Sequence, residues 1–149
     1  MRILFVCLGN ICRSPTAEGV MRHLLRERGL EDEVALDSAG TGGWHIGAPP
    51  DERSAAAARR RGIALDGAAR QVVAEDFARF DLLVAMDRSN RRDLLALAPD
   101  EEARAKVRLL LEDADVPDPY YGGPSGFDDV LDLVEDACAR LLDEVAAAR

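Results

Sequence analysis

Short, wholly apolar runs alternate with amphipathic stretches along this chain. Residues 2–7 carry Ile3-Leu4-Phe5-Val6 without interruption, the mark of a strand buried on both faces. The next stretch opens near Pro15, a favoured residue for a first helical turn. Its apolar residues Ala17, Val20, Met21, Leu24 and Leu25 recur at helical spacing, and Gly29 ends it. A second strand is predicted over 34–38. The glycine- and proline-bearing loop 40–50, with Trp44, follows, and Asp51 opens an Ala/Arg-rich helix that stops near Gly62. A short extended piece surrounds 71–73, and 74–80 reads as a brief helix. Residues 82–85 form a third apolar run. Asp87 or Ser89 could cap a helix through Leu97, and after a charged connector 107–111 reads as a fourth strand. The loop 112–126 leads into a long helix with the stripe Phe127, Val130, Leu131, Val134, Cys138, Leu141, Leu142 and Val145. On that stripe Cys138 is core. Strands alternating with helices predict an α/β layered fold around a parallel sheet, with functional loops at the carboxyl ends of the strands.

Composition narrows the class. The 149 residues suit one domain, 1–149, with its own core, and no linker or repeat divides them. No apolar run reaches the roughly 18 residues of a membrane span. A strand that begins right after Met1-Arg2 leaves no room for a signal peptide, so a cytoplasmic location is expected. Net charge is −9 and no basic stripe appears, which argues against nucleic acid as a partner. The cluster Arg59-Arg60-Arg61 ends a helix and is expected to complement its dipole. Three cysteines, an odd number, do not make a disulfide framework. With only His23 and His45, and no His/Asp/Glu set at ligand spacing, neither a metal nor another cofactor is expected. His23 reads as a surface residue.

The most specific chemistry lies between the first strand and the first helix. Cys7 and Arg13 bracket Leu8-Gly9-Asn10-Ile11-Cys12, and Ser14-Pro15 follow. A strand–loop–helix passage of this kind aims backbone N–H groups and a helix N-terminus at one spot. A cysteine there should lose its proton readily, and an arginine closing the loop offers a fork that fits a phosphate. The run reads as a nucleophile inside an oxyanion cradle. Asn10 suits such a loop because asparagine tolerates left-handed backbone.

The string Val6-Cys7-Leu8-Gly9-Asn10-Ile11-Cys12-Arg13-Ser14-Pro15 resembles the signature loop of low-molecular-weight protein tyrosine phosphatases. Asp37-Ser38-Ala39-Gly40-Thr41, Ala69-Arg70-Gln71, Ala85-Met86-Asp87 and Asp118-Pro119-Tyr120-Tyr121-Gly122 match further motifs in the family's order. The resemblance spans essentially the whole chain. It implies a four-stranded parallel sheet flanked by helices, a phosphate-binding loop after the first strand, and a metal-free two-step reaction. Cys7 would form a phosphocysteine. The Leu8–Arg13 backbone with the Arg13 guanidinium would hold the equatorial oxygens. Asp118 would protonate the leaving phenolate, whose acid has a pKa of about 10. Pro117 and Pro119 restrict its loop, and the neighbouring Asp113 and Asp115 lack the proline-tyrosine context. Ser14 would stabilise the leaving sulfur, and Ser38 would support Asn10. Many relatives carry a histidine three residues before the Arg-Gln pair. Gly67 stands there, so part of that support is expected to be absent or replaced by water.

Trp44, Tyr120 and Tyr121 are expected to wall a flat phenyl pocket. Cys12 is either a small loop filler or the partner of a reversible disulfide with Cys7 that guards against overoxidation. Three rival readings remain. Thioredoxin-coupled arsenate reductases need a further cysteine pair, and residues 82–95 contain no cysteine. Protein-arginine phosphatases typically place threonine where Ile11 stands. A nonenzymatic phosphate- or redox-sensing module would not need Asp118. The resemblance thus implies hydrolysis of tyrosine-phosphorylated proteins, opposed by a tyrosine kinase, by a chain expected to be monomeric.

Overall fold

The computed structural model describes residues 1–120, 122 and 125–148. Four parallel strands form its sheet: β1 (Arg2–Cys7), β2 (Ala35–Gly40), β3 (Leu82–Ala85) and β4 (Val107–Leu109), in the order β2-β1-β3-β4. β1 pairs with β2 on one side and β3 on the other, so the chain reverses its direction of winding at β1. The crevice beyond the carboxyl end of such a strand is where open α/β sheets bind ligands. Cys7 is the last residue of β1.

Side chains of β1 alternate between two cores. Ile3, Phe5 and Cys7 point into the larger one, with Ala17, Val20 and Met21 of α1 (Arg13–Glu27) and Val130, Leu131, Val134 and Cys138 of α6 (Gly126–Ala147). Leu4 and Val6 point into the other, with Phe77 of α3 (Asp76–Arg79), Leu94 of α4 (Arg88–Leu97) and Ala103 of α5 (Glu101–Arg104). α2 (Glu52–Arg59) adds Ala57 and Ala58 to the larger core. This two-sided burial explains why β1 is apolar without alternation. Burying one such Leu, Ile or Phe contributes about 1.5–3 kcal/mol, which secures the strand that presents Cys7.

The expected elements are present, with shifted ends. β2 begins and ends later than 34–38, because its register on β1 runs through Cys7 opposite Gly40. The fourth strand stops at Leu109 rather than 111. Leu110 still donates to Ala85 O (2.9 Å), but Leu110 and Leu111 then turn into the larger core. The extended piece near 71–73 makes a single bridge, Gln71 with Gly40. Pro15 sits in the first turn of a helix that starts two residues earlier. Asp87, not Ser89, caps α4, accepting from Asn90 N–H at 2.7 Å. The charged connector contains α5, whose cap is Asp100. The arginine cluster does more than face a helix dipole. Arg60 and Arg61 form ion pairs with Asp128, and Arg61 also with Asp132 and Glu135, so they tie α2 to α6. His23 lies at the surface beside Glu27 (3.0 Å). Among the described residues no helix is long and apolar enough to cross a membrane.

Candidate active site

Between β1 and α1 the chain makes a tight loop over residues 8–12. Asn10 takes a left-handed conformation, φ 57°, as its residue type suggested. Its side chain is committed on every side. Oδ1 accepts from Arg70 N–H (3.0 Å), which fixes the orientation of the amide. Nδ2 then donates to Ser14 Oγ (2.9 Å) and Ser38 Oγ (3.0 Å). The expected gap in support at Gly67 is therefore filled by the Arg70 backbone and two hydroxyls. Gly67 itself has φ +90°, a conformation that a histidine would adopt only under strain.

The loop also leans on β2. A Cβ on Gly40 would lie 2.7 Å from Leu8 O and 3.2 Å from Asn10 N, so only glycine lets the two backbones approach. Thr41 N–H donates to Cys7 O and Gly42 N–H to Leu8 O, both at 2.9 Å. Arg70 locks this corner by bonding Asp37 and the fully buried Asp76.

Cys7 is buried, with Ser14 Oγ 2.9 Å from its sulfur and Asn10 N–H donating to it at 3.2 Å. Arg13 is equally buried. Its Nη1 donates to Asp87 Oδ2 (2.6 Å) and to Val116 O (3.0 Å), and its Nη2 lies 3.5 Å from Asp118 Oδ2. Burial alone would favour loss of the Arg13 proton. The Asp87 hydrogen bond and neighbouring negative charge more than reverse this, so the guanidinium is held charged more firmly than usual. Sequence reasoning gave Asp87 a capping role only. It has two, because one carboxylate oxygen caps α4 while the other orients Arg13.

Cys7, Leu8, Gly9, Ile11, Cys12, Arg13, Trp44, His45, Asp118 and Tyr120 line one cavity of about 380 Å³. Trp44 is 72% exposed and stands at the rim. His45, which sequence reasoning left out of the site, lies over Gly9 with its ring 6.1 Å from that of Tyr120. Its motif signal was weak, since a lone histidine in a glycine-rich loop has no fixed meaning. Tyr121 lies outside the described residues. Asn10, Ser14 and Ser38 bond one another beside Cys7 and do not line this cavity. Asp118 Oδ1 accepts from Tyr120 N–H (3.1 Å). Neither competing acid lines this cavity: the Asp115 carboxylate accepts from Arg88 N–H (3.0 Å), and the Asp113 backbone carbonyl takes the Arg88 side chain. The Cys12 thiol is pushed up to about 12 by burial, only partly offset by a hydrogen bond with Ser54. Cys7, Cys12 and Cys138 are all free thiols.

This arrangement brings a thiol, a fixed cation and a carboxyl to one ligand-sized space. Comparison with known proteins gives the family. Residues 2–149 match the profile described as low molecular weight phosphotyrosine protein phosphatase. A low molecular weight protein-tyrosine-phosphatase of Streptomyces coelicolor is 50% identical, over 95% of this chain and 91% of that protein. Among solved structures, a protein tyrosine phosphatase of Entamoeba histolytica with Hepes in its active site superposes with a TM-score of 0.95. It is 41% identical and the match covers 99% of this chain and 98% of that one. The Drosophila arginine phosphatase DARP superposes at 0.90 with 34% identity, over 97% and 98% of the two chains. The chain belongs to the low molecular weight protein tyrosine phosphatase family of enzymes.

Proposed function

We propose that this enzyme hydrolyses phosphotyrosine in proteins through a phosphocysteine intermediate, acting as one domain over residues 1–149. The observation that carries the reading is the convergence of Cys7, Arg13 and Asp118 on one cavity. In the first step the Cys7 thiolate attacks phosphorus. The S–P bond forms, the P–O bond to the aryl group breaks, and Asp118 gives its proton to the departing phenolate oxygen. N–H groups of residues 8–13 and the Arg13 fork hold the equatorial oxygens. In the second step Asp118, now a carboxylate, takes a proton from water as its oxygen attacks phosphorus. The S–P bond breaks, phosphate leaves, and Ser14 supports the departing sulfur.

Ile11 and the aromatic rim favour an aryl ester. Ile11 is a branched apolar residue lining the cavity, and Trp44 and Tyr120 flank it. The likeness to an arginine phosphatase keeps phosphoarginine as the second reading. The test compares wild type with Cys7→Ser and Asp118→Ala on an aryl phosphate, then phosphotyrosyl with phosphoarginyl peptides. Cys7→Ser is expected to be inactive. Full activity in that variant would sink the mechanism, and a preference for phosphoarginine would keep it while changing the substrate.

Cys12 shares the cavity with Cys7 and supports a reversible disulfide between them under peroxide. The chain then acts as a cytoplasmic monomer against a tyrosine kinase. Intact mass and gel filtration after peroxide treatment test both the intramolecular bond and the monomer.

A further inference from the structure

The N-terminal end of α2 touches both loops that carry the proposed reaction. Asp51, its cap, donates its backbone N–H to Ile11 O in the loop after β1 (2.8 Å). The Asp51 carboxylate in turn receives the Arg53 guanidinium at two points, Nε to Oδ1 at 3.1 Å and Nη2 to Oδ2 at 2.9 Å. The remaining nitrogen of the fork, Nη1, donates to the carbonyl of Tyr120 (3.1 Å). The same guanidinium packs on two rings, 5.3 Å from the centroid of Tyr120 and 4.7 Å from that of Phe127. Tyr120 N–H donates to Asp118 Oδ1. Polar contacts thus run unbroken from Ile11 through Asp51, Arg53 and Tyr120 to Asp118.

The acid loop is held on both sides of Asp118. Before it, Val116 N–H bonds Met86 O (2.8 Å) and Val116 O takes Arg13. After it, Arg53 ties Tyr120 to the end of α2. We propose that Arg53 is a positioning residue for the acid: it fixes the Asp118 carboxyl relative to the Cys7 sulfur by clamping Tyr120 to the end of α2. This rests on the reading of Asp118 as the general acid. An exposed ion pair adds little to stability, but a planar fork held by a carboxylate, a carbonyl and two rings fixes direction. Lysine would keep the charge and lose the fork. A small displacement of a reacting group lowers rate steeply, so the clamp acts on the step that needs the acid.

The experiment measures kcat/KM, which reports formation of phosphocysteine, for phenyl phosphate and 2,4-dinitrophenyl phosphate. The variants are Arg53→Met, which keeps the apolar stem on both rings, Arg53→Lys, Asp118→Ala, and Arg53→Met combined with Asp118→Ala. The expected result is a loss of about 10- to 100-fold on phenyl phosphate for Arg53→Met and Arg53→Lys. On the dinitrophenyl ester, which leaves without a proton, the loss should be no more than about threefold. In the Asp118→Ala background Arg53→Met should cost nothing further. Equal losses on both esters, no loss on phenyl phosphate, or an additive loss in the double variant would each overturn the proposal. Failure of the acid reading itself would look different: Asp118→Ala would then show no dependence on the leaving group, and both readings would fall together.

Discussion

Ser14 Oγ stands 2.9 Å from Cys7 Sγ, with both side chains buried. The direction of this bond follows from its neighbours. Arg70 N–H fixes the Asn10 amide, so Asn10 Nδ2 donates to Ser14 Oγ and occupies a lone pair. The Ser14 proton then has two acceptors, the Ala39 carbonyl at 3.5 Å and the sulfur at 2.9 Å, and the shorter contact favours the sulfur. A donor on the sulfur matters most when it departs with negative charge. Ser14→Ala should slow breakdown of the phosphocysteine by roughly 10- to 100-fold, the worth of a hydrogen bond to a charged group. A burst of phenol release should appear in stopped-flow traces of that variant. Steady turnover without a burst would refute this role.

In the Arg13–Asp87 pair the guanidinium is buried and the carboxylate half-buried, 4% and 18% exposed at 2.6 Å. Asp87→Ala would leave a buried guanidinium without its partner and remove the α4 cap. A loss of about 3–5 kcal/mol from the broken pair, plus about 1 kcal/mol from the cap, is expected in urea unfolding. Asp87→Asn keeps one oxygen, which can still cap Asn90 N–H, but sets an NH2 against Arg13 in place of the second oxygen, so it should recover only the share of the cap, about 1 kcal/mol. Both variants should fall in kcat/KM because Arg13 is no longer held in place. Equal unfolding midpoints for Ala and Asn would show that the cap contributes nothing and that the lost pair accounts for the whole effect.

How far the sequence revealed this site depended on the range of each contact. The Cys7–Arg13 loop is local, and so are the strand before it and the helix after it. Its geometry could therefore be read from spacing. β1 declared itself through unbroken apolarity, which two-sided burial requires. Asp87 was hidden because its partner Arg13 is 74 residues away, while its capping contact is three residues away. Arg53 looked like any solvated arginine on an Ala/Arg helix, since its contact with Tyr120 spans 67 residues. The end of β4 was misread for a simpler reason. Leu110 and Leu111 are as apolar as a strand but are buried against helices rather than paired along the sheet.

The two loop thiols should react differently. Cys7 lines the cavity beneath the rim, whereas burial pushes the Cys12 thiol up to about 12. Only thiolate is alkylated at a useful rate. Brief treatment with iodoacetate at pH 7 should modify Cys7 and leave Cys12 and Cys138 intact, as read by peptide mass spectrometry. Inorganic phosphate should slow the labelling by competing for the cavity. Comparable labelling of Cys12 would contradict this assignment.

Gly67→His tests whether the missing family histidine matters here. Asn10 already has partners on all sides, so a new imidazole has no vacant role beside it. The backbone at Gly67, φ +90°, would instead be strained by any side chain. Gly67→His should lose about 1–2 kcal/mol of stability with kcat unchanged within about twofold. A rise in kcat would mean that Asn10 is held too loosely in the parent enzyme.

Alkaline pH should expose the buried thiols. Burial raises the Cys138 thiol far above its ordinary value of 9.0, and raises Cys12 from 9.0 to about 12. In the unfolded chain both ionise near pH 9, while in the folded protein they stay protonated. The unfolded state therefore binds fewer protons above pH 9, and stability falls as pH rises from there. Each thiol contributes a slope of about 1.4 kcal/mol per pH unit until its folded value is passed. Below pH 9 neither contributes any dependence. Cys138→Ala removes one thiol without touching the cavity, at the cost of a small void between α6 and α1. Its unfolding free energy should be lower than wild type at pH 7, yet decline less steeply between pH 9.5 and 11, with a slope smaller by roughly 1.4 kcal/mol per unit. Parallel pH curves for the two proteins would show that Cys138 ionises in the folded state as readily as in the unfolded one.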